Sequence, residues 1–301
     1  MRSTRAGLQV AGLGLAALVL AGCGSTAGGD EADDGKLAVV ASTNVWGSVA
    51  QAVGGDAVSV ESLIADAAGD PHAHPDKPSD ATSLAGADLV VYNGGGYDEF
   101  FTKLLDSTGT DLPRVDAFEL AGYGADANEH VWYDLAAVRE VADALAEELG
   151  SLAPDDADTF TANAEEFGTR LTDLADRASA IGEAHPGAKV LATEPVAHYL
   201  FEAAGLTDAT PPAFSEAVEE ETDPSLSVVA ETTELLSGRQ VAVLVSNAQT
   251  RTSVTDSLAE EAEAAGIPVV EVTETLPEGT TDYVEWMSEQ VDALAGALDQ
   301  T

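Results

Sequence analysis

The chain of 301 residues is 45% hydrophobic and 22% charged, enough to bury the core of one large or two ordinary domains. Twelve Lys and Arg against 54 Asp and Glu give a formal net charge of -42, and so acidic a surface excludes nucleic-acid binding, which needs clustered cations to displace counterions from phosphates. The single cysteine excludes an internal disulfide framework and any paired-cysteine metal or redox site.

The chain opens on a targeting segment. Arg2 and Arg5 precede an apolar run from Val10 to Ala21, followed by Gly22-Cys23: a positive start, an apolar stretch of signal-peptide length and a small-residue cleavage site. The run is shorter than the roughly 20 residues a membrane-spanning helix needs. Leu20-Ala21-Gly22-Cys23 resembles a bacterial lipobox, so residues 1–22 are expected to be removed as a lipoprotein signal peptide, leaving Cys23 as the lipid anchor. That cleavage takes away two Arg and no acid, so the mature chain keeps 10 cationic and 54 anionic side chains, a formal -44. Residues 23–36, mostly Gly, Ser and acids, are too poor in apolar groups to fold and read as a flexible tether.

From there apolar runs alternate with amphipathic stretches. Runs at 37–42, 58–63, 87–92 and 113–118 are predicted strands of a mostly parallel sheet with helical crossovers. Leu135, Val138, Ala142, Leu145 and Leu149 recur at helical spacing, predicting a helix that ends at Gly150. Pro154-Asp155-Asp156 is a helix-start signal, with acids at the positive end of the dipole. Phe160, Ala164, Phe167, Leu171, Leu174, Ala178 and Ile181 then follow at alternating steps of four and three. That pattern is one helix of about 26 residues, roughly 40 Å long at 1.5 Å per residue, a connecting rod between two halves. A second set of predicted strands lies at 189–193, 240–246 and 268–273, with helical stretches at 195–204, 225–237, 252–265 and 281–299. The fold class is therefore α/β. An N-terminal lobe (37–152) and a C-terminal lobe (185–301), each a mostly parallel sheet flanked by helices, are joined by a long rigid helix (153–184), with the ligand site in the cleft between them.

Four side chains stand where such a cleft would form. His72 lies in the proline-braced loop Asp70-Pro71-His72-Ala73-His74-Pro75, and His130 in Asn128-Glu129-His130-Val131-Trp132. Glu194 ends a strand with Pro195 placed to start a helix, and Glu274 ends another. All four belong to segments leaving the carboxyl ends of parallel strands, the edge where open α/β sheets hold their ligands. Two neutral imidazoles and two carboxylates balance a divalent cation, which lowers the cost of burying it. His74 and His198 compete with them: the first is two residues from His72, the second shares a helix face with Glu194. Gly94-Gly95-Gly96 reads as a turn, since it lacks the spacing and the cation of a phosphate loop, and Trp46, Trp132 and Trp286 read as core. No G-x-S-x-G or H-E-x-x-H occurs, against a serine hydrolase or a zincin.

Asp70-Pro71-His72, Pro78-Ser79-Asp80 and the run from Ala87 to Gly94, with His130-Val131-Trp132, resemble the metal-binding solute-binding lipoproteins of bacterial zinc/manganese ABC transporters, the cluster A-I type, from Leu37 to Leu298. The resemblance implies that His72, His130, Glu194 and Glu274 are the metal ligands, the last standing where the family usually has Asp. It also implies a lipid-anchored receptor on the extracytoplasmic face of the cell membrane, which passes Mn²⁺ or Zn²⁺ as cargo to an ABC permease with a cytoplasmic ATPase. A monomer and no enzymatic activity are expected. The segment 121–129 lacks the His-rich loop of zinc-specific members, and Glu at the third ligand resembles manganese-type sites. The alternative from another class is a metal-dependent hydrolase of the cell envelope, with Glu194 or Glu274 as general base and an open position for water.

Overall fold

The computed structural model describes residues 35–66, 74–75, 77–109, 111–220 and 222–301. The signal segment, Cys23, most of the tether and His72 lie outside the described residues. In chain order, β1 (Leu37–Thr43), α1 (Asn44–Gly54), β2 (Val58–Ile64), α2 (Pro78–Ala85), β3 (Leu89–Tyr92), α3 (Glu99–Thr108), β4 (Arg114–Asp116) and α4 (Ala117–Ala121) build the first half. α5 (Leu135–Leu152) and α6 (Ala157–Ala184) follow. The second half comprises β5 (Lys189–Ala192), α7 (His198–Ala203), β6 (Thr207–Asp208), α8 (Pro212–Glu219), α9 (Leu226–Ser237), β7 (Val243–Asn247), α10 (Ser253–Ala265), β8 (Val269–Val272) and α11 (Tyr283–Leu298).

Among the described residues the strands form two four-stranded sheets, ordered β2-β1-β3-β4 and β6-β5-β7-β8, with every pairing parallel. Every residue of β3 and of β7 is buried, as in parallel strands covered on both faces by crossover helices. Both sheets share one spatial order, so in each the chain reverses direction beside the first strand. The carboxyl ends of β1 and β3 in one sheet, and of β5 and β7 in the other, flank these topological switch points, where open α/β sheets take their ligands.

The seven apolar positions that predict the long helix are all buried along α6, which packs lengthwise on α5. One core cluster runs through both lobes and contains Trp46, Trp132 and Trp286, each fully buried. Near the end of α6, a Cβ on Gly182 would lie 2.5 Å from the carbonyl oxygen of Ala204, at the end of α7. Gly182→Ala is therefore expected to destabilise the protein by about 1–3 kcal/mol of overpacking, offset by up to about 1 kcal/mol of better helix propensity. The urea midpoint should fall; an unchanged or higher midpoint would show that the contact relaxes freely.

Several elements differ from the sequence expectation. α5 passes through Gly150 and ends at Leu152, because the glycine serves close packing against Ala157 at the start of α6 rather than a helix stop. The strand predicted at 113–118 stops at Asp116, whose carboxylate accepts the amide of Glu119 and starts α4. The helix predicted at 195–204 begins as a 3-10 turn, Pro195–Ala197, before α7. β6 and α8 are absent from the sequence reading. Gly94, Gly95 and Gly96 form the expected turn, with φ of 74°, 67° and 104°. Side chains of Asp116 and Phe118 occupy the space where Cβ atoms on the first two would stand. No helix among the described residues is long and apolar enough to cross a membrane.

Candidate metal centre

His130 follows a loop and leads the 3-10 turn Val131–Tyr133, which places its imidazole inside the protein at 1% exposure. Asn128 fixes the ring. Its Oδ1 accepts from the His130 backbone amide at 2.8 Å and faces Nδ1 at 2.9 Å, while its Nδ2 donates to the Pro195 carbonyl at 2.8 Å. With the amide oriented by these partners, Nδ1 donates to Oδ1 and the ring is held with Nε2 on the opposite side. Nε2 lies 3.3 Å from Oε1 of Glu219, the last residue of α8. Trp132 and Tyr97 pack edge-on to the imidazole, with centroids 5.0 and 5.8 Å away.

Glu274 stands two residues beyond β8 and is 4% exposed. Its Oε1 accepts from Asn247 Nδ2 at 2.7 Å and its Oε2 from the Tyr97 hydroxyl at 3.0 Å. Tyr97 thus bridges the two lobes, with its ring against His130 and its hydroxyl on Glu274. Burial, with the charge of Glu274 adding to it, raises Tyr133 far above the ordinary tyrosine range, so that its hydroxyl stays protonated and donates to the Thr273 carbonyl at 2.9 Å. Glu194 lies two residues beyond β5, at the switch point, and is 5% exposed. Its Oε2 accepts a short hydrogen bond from the Thr250 hydroxyl. The next residue, Pro195, is the one held by Asn128, and the Tyr199 hydroxyl donates to the Asn128 carbonyl at 2.7 Å. The segments carrying His130 and Glu194 are therefore stitched together across the cleft.

Asp98 supports the same region from behind. Its carboxylate accepts the amides of Asn93 and Gly94 at 2.7 and 2.9 Å, and Asn93 Nδ2 donates to the Glu129 carbonyl at 2.8 Å. Burial pushes the Asp98 carboxyl up to about 6 despite the amide bonds that pull it down. Between about pH 4 and 6 the folded state then holds a proton that the unfolded state has lost, so this group's contribution is full below pH 4 and declines as pH rises towards 6. Asp98→Asn is expected to remove that decline, changing the slope of unfolding free energy between pH 4 and 6 by up to about 1.4 kcal/mol per pH unit. Urea titrations at pH 4, 5 and 6 measure it, and parallel slopes for variant and wild type would refute it.

The competing histidines are engaged elsewhere. His74 Nε2 lies 2.9 Å from Asp80 Oδ2, and the ring packs on Phe100 at 4.3 Å. His198 is half exposed on α7, 3.6 Å from Glu202 on the same helix. Among the described residues no group of three or more His, Cys, Asp and Glu side chains is gathered tightly enough to hold an ion. The structure brings His130 to Glu219 directly, and ties it to Glu274 through Tyr97 and to the Glu194 segment through Asn128. Glu219 is the site residue that the sequence reading misses. The helix that carries it was marked in the sequence, by Pro211-Pro212 as a helix start and by Phe214 and Val218 four apart, both buried on α8, but nothing local singles out Glu219.

The model of the family described as zinc-uptake complex component A periplasmic (ZnuA) matches residues 39–297. The chain belongs to this family. It is 31% identical over 164 residues to a manganese-binding lipoprotein MntA of Halalkalibacterium halodurans, covering 52% of this chain and 54% of that protein. With the manganese-binding lipoprotein MntA of Bacillus subtilis it shares 30% identity over 171 residues, 54% of this chain and 55% of that one. The chain spans about half the length of the curated relatives it matches. The structure resembles the SBP FpvC from Pseudomonas aeruginosa in complex with Mn²⁺ (TM-score 0.73, 23% identity, 88% and 98% of the two chains). It is equally similar to the periplasmic zinc-binding protein TroA from Treponema pallidum (TM-score 0.74, 19% identity, 88% and 99%). These two likenesses show the fold, two parallel-sheet α/β lobes flanked by helices, as the sequence led us to expect.

Proposed function

We propose that the chain is the extracytoplasmic receptor of a metal-uptake ABC transporter, working as a monomer. It captures Mn²⁺ or Zn²⁺ in the interlobe cleft with His72, His130, Glu194 and Glu274, and delivers the ion to a permease driven by a cytoplasmic ATPase. The observation that carries this reading is the His130 imidazole: fully buried, with Nδ1 held by Asn128 and Nε2 facing a carboxylate. A buried imidazole oriented by an acceptor on one nitrogen, with its other nitrogen towards acidic groups, is the arrangement of a metal ligand. The buried carboxylates of Glu194 and Glu274 supply the negative charge, and their hydroxyl and amide partners fix their oxygens without neutralising them. The hydrolase alternative has no support, since the relatives are substrate-binding lipoproteins of ABC transporters and the family is one of transport components. The test is metal analysis of protein purified from its native host, together with whether Mn or Zn starvation induces it; protein free of both metals, and induced by neither starvation, would overturn the proposal.

In this reading residues 1–22 are removed, Cys23 carries the lipid, and residues 23–36 tether the lobes to the membrane surface. Cys23→Ser is expected to move the protein from the membrane fraction into the medium with its melting curve unchanged. Mass spectrometry that finds an unmodified Cys23 in membrane-bound wild-type protein would end the anchoring assignment.

A further inference from the structure

We infer that Thr250, on the loop leaving β7, is a positioning residue of the metal site: it holds the Glu194 carboxylate in place relative to Glu274 and so sets how tightly the ion is bound. The inference rests on the receptor reading above and adds no ligand to it. It follows from the strand order β6-β5-β7-β8, in which β7 lies between β5 and β8. Glu194 follows β5 and Glu274 follows β8, so the loop that leaves β7 runs between the two carboxylates. Its side chains reach both ways. Towards β8, Asn247 Nδ2 donates to Glu274 Oε1 at 2.7 Å, Gln249 Oε1 accepts the backbone amides of Glu274 and Thr275, and Gln249 Nε2 donates to the Thr275 hydroxyl at 3.0 Å. Towards β5, the Asn247 backbone amide donates to the Thr193 hydroxyl at 3.0 Å, and the Thr250 hydroxyl donates to Glu194 Oε2.

The loop is itself held in one shape. Asn247 is buried, its Oδ1 accepts the Gln249 amide at 3.1 Å, and the Ala248 amide donates to the Val272 carbonyl at 2.9 Å. Threonine is stiff at χ1, so a fixed backbone aims its hydroxyl. A glutamate side chain that is free to rotate gives up that freedom when an ion captures it. Thr250 restricts Glu194 beforehand, so less of that cost falls on metal binding. The hydroxyl is also neutral. It orients the carboxylate without cancelling the charge, as a Lys or Arg in its place would, and a carboxylate with about four acceptor sites is not exhausted by one hydroxyl.

The test is titration of the purified mature protein with Mn²⁺, Zn²⁺ and Co²⁺ at neutral pH, for wild type, Thr250→Val, Thr250→Ser and Glu194→Ala. Thr250→Val keeps the shape and deletes the hydroxyl; it is expected to weaken all three ions about 10–100-fold, the usual cost of losing a residue that orients a ligand. Thr250→Ser restores the hydroxyl and is expected to bind within about threefold of wild type. The visible spectrum of bound Co²⁺, read at saturation, should change in Thr250→Val and match wild type in Thr250→Ser, whereas a side chain that only supports the fold would leave it as it is. Wild-type affinity in Thr250→Val, an unchanged Co²⁺ spectrum, or a Ser variant as weak as the Val variant overturns the inference. A crystal structure of the wild-type Mn²⁺ form gives a second reading that does not depend on a variant folding: the Thr250 hydroxyl is expected on a Glu194 oxygen while that carboxylate holds the ion, and a hydroxyl turned away overturns it. Glu194→Ala separates the two levels. If it binds all three ions as wild type does, the ligand set of the receptor reading falls, and the role of Thr250 with it. If it loses them while Thr250→Val does not, only the role of Thr250 falls.

Discussion

Replacing His130 by alanine is expected to weaken Mn²⁺ and Zn²⁺ binding by well over a hundredfold. A residue that merely orients a ligand typically costs 10–100-fold when lost. His130 is placed for more than that: its imidazole is buried, its Nδ1 is fixed by Asn128, and its Nε2 faces the Glu219 carboxylate. The alanine variant deletes a donor and leaves a buried hole flanked by Glu219 and the Tyr97–Glu274 pair, where a cation would be under-coordinated. His72→Ala, Glu194→Ala and Glu274→Ala are expected to act alike. His74→Ala and His198→Ala should each cost no more than the orienting amount, since one ring is held by Asp80 and Phe100 and the other lies half exposed beside Glu202. Isothermal titration of the six variants decides between the two sets. If His198→Ala abolishes binding while Glu194→Ala does not, the third ligand is His198, and the oxygen-rich character of the site goes with it.

The long helix and the order of elements were readable because period-3.6 burial and fully apolar strands leave strong patterns. Phe160 through Ile181 alternate by four and three for the physical reason that one face of α6 lies on the core. Positions just past strand ends were legible for a similar reason: Glu194 and Glu274 follow apolar runs directly, so the sequence marks them as edge residues. The contact of Glu219 with His130 was not legible. Eighty-nine positions separate the two residues, and the chain is so rich in acids that one more glutamate at the end of a short helix carries no signal. Only the crossover geometry that brings α8 to the cleft distinguishes it from Glu220. Tyr97 is a like case. Its bond to Glu274 spans 177 positions, and a tyrosine after a glycine turn looks like ordinary core until the second lobe is in place. Pairing between lobes depends on tertiary placement, which local periodicity does not encode.

Saturating metal is expected to raise the melting temperature at neutral pH by about 5–10 °C, and the increment should vanish on acidification. A ligand that binds only the folded state stabilises it by RT ln(1 + [L]/Kd), about 2.7 kcal/mol at a hundredfold excess, and in domains of this size each kcal/mol is worth about 2–4 °C. In the proposed site the ligand atoms come from both lobes, so the unfolded chain holds no comparable site. Imidazoles bind metal only when neutral, and an ordinary imidazole protonates near pH 6.5. With two of them in the site, affinity well below that pH falls about a hundredfold per pH unit, which leaves only about 0.4 kcal/mol of the 2.7 after one unit and almost none after two. The metal-free protein moves the other way over part of this range, because the buried Asp98 carboxyl gains its proton near pH 6 and favours the folded state below it. The quantity to compare is therefore the difference between melts with metal and with chelator at each pH, which cancels Asp98 and every other group remote from the ion. A difference that stays constant from pH 7.5 down to 5 would mean that no imidazole ligates the ion, and the two-histidine site would be refuted even if the metal were bound.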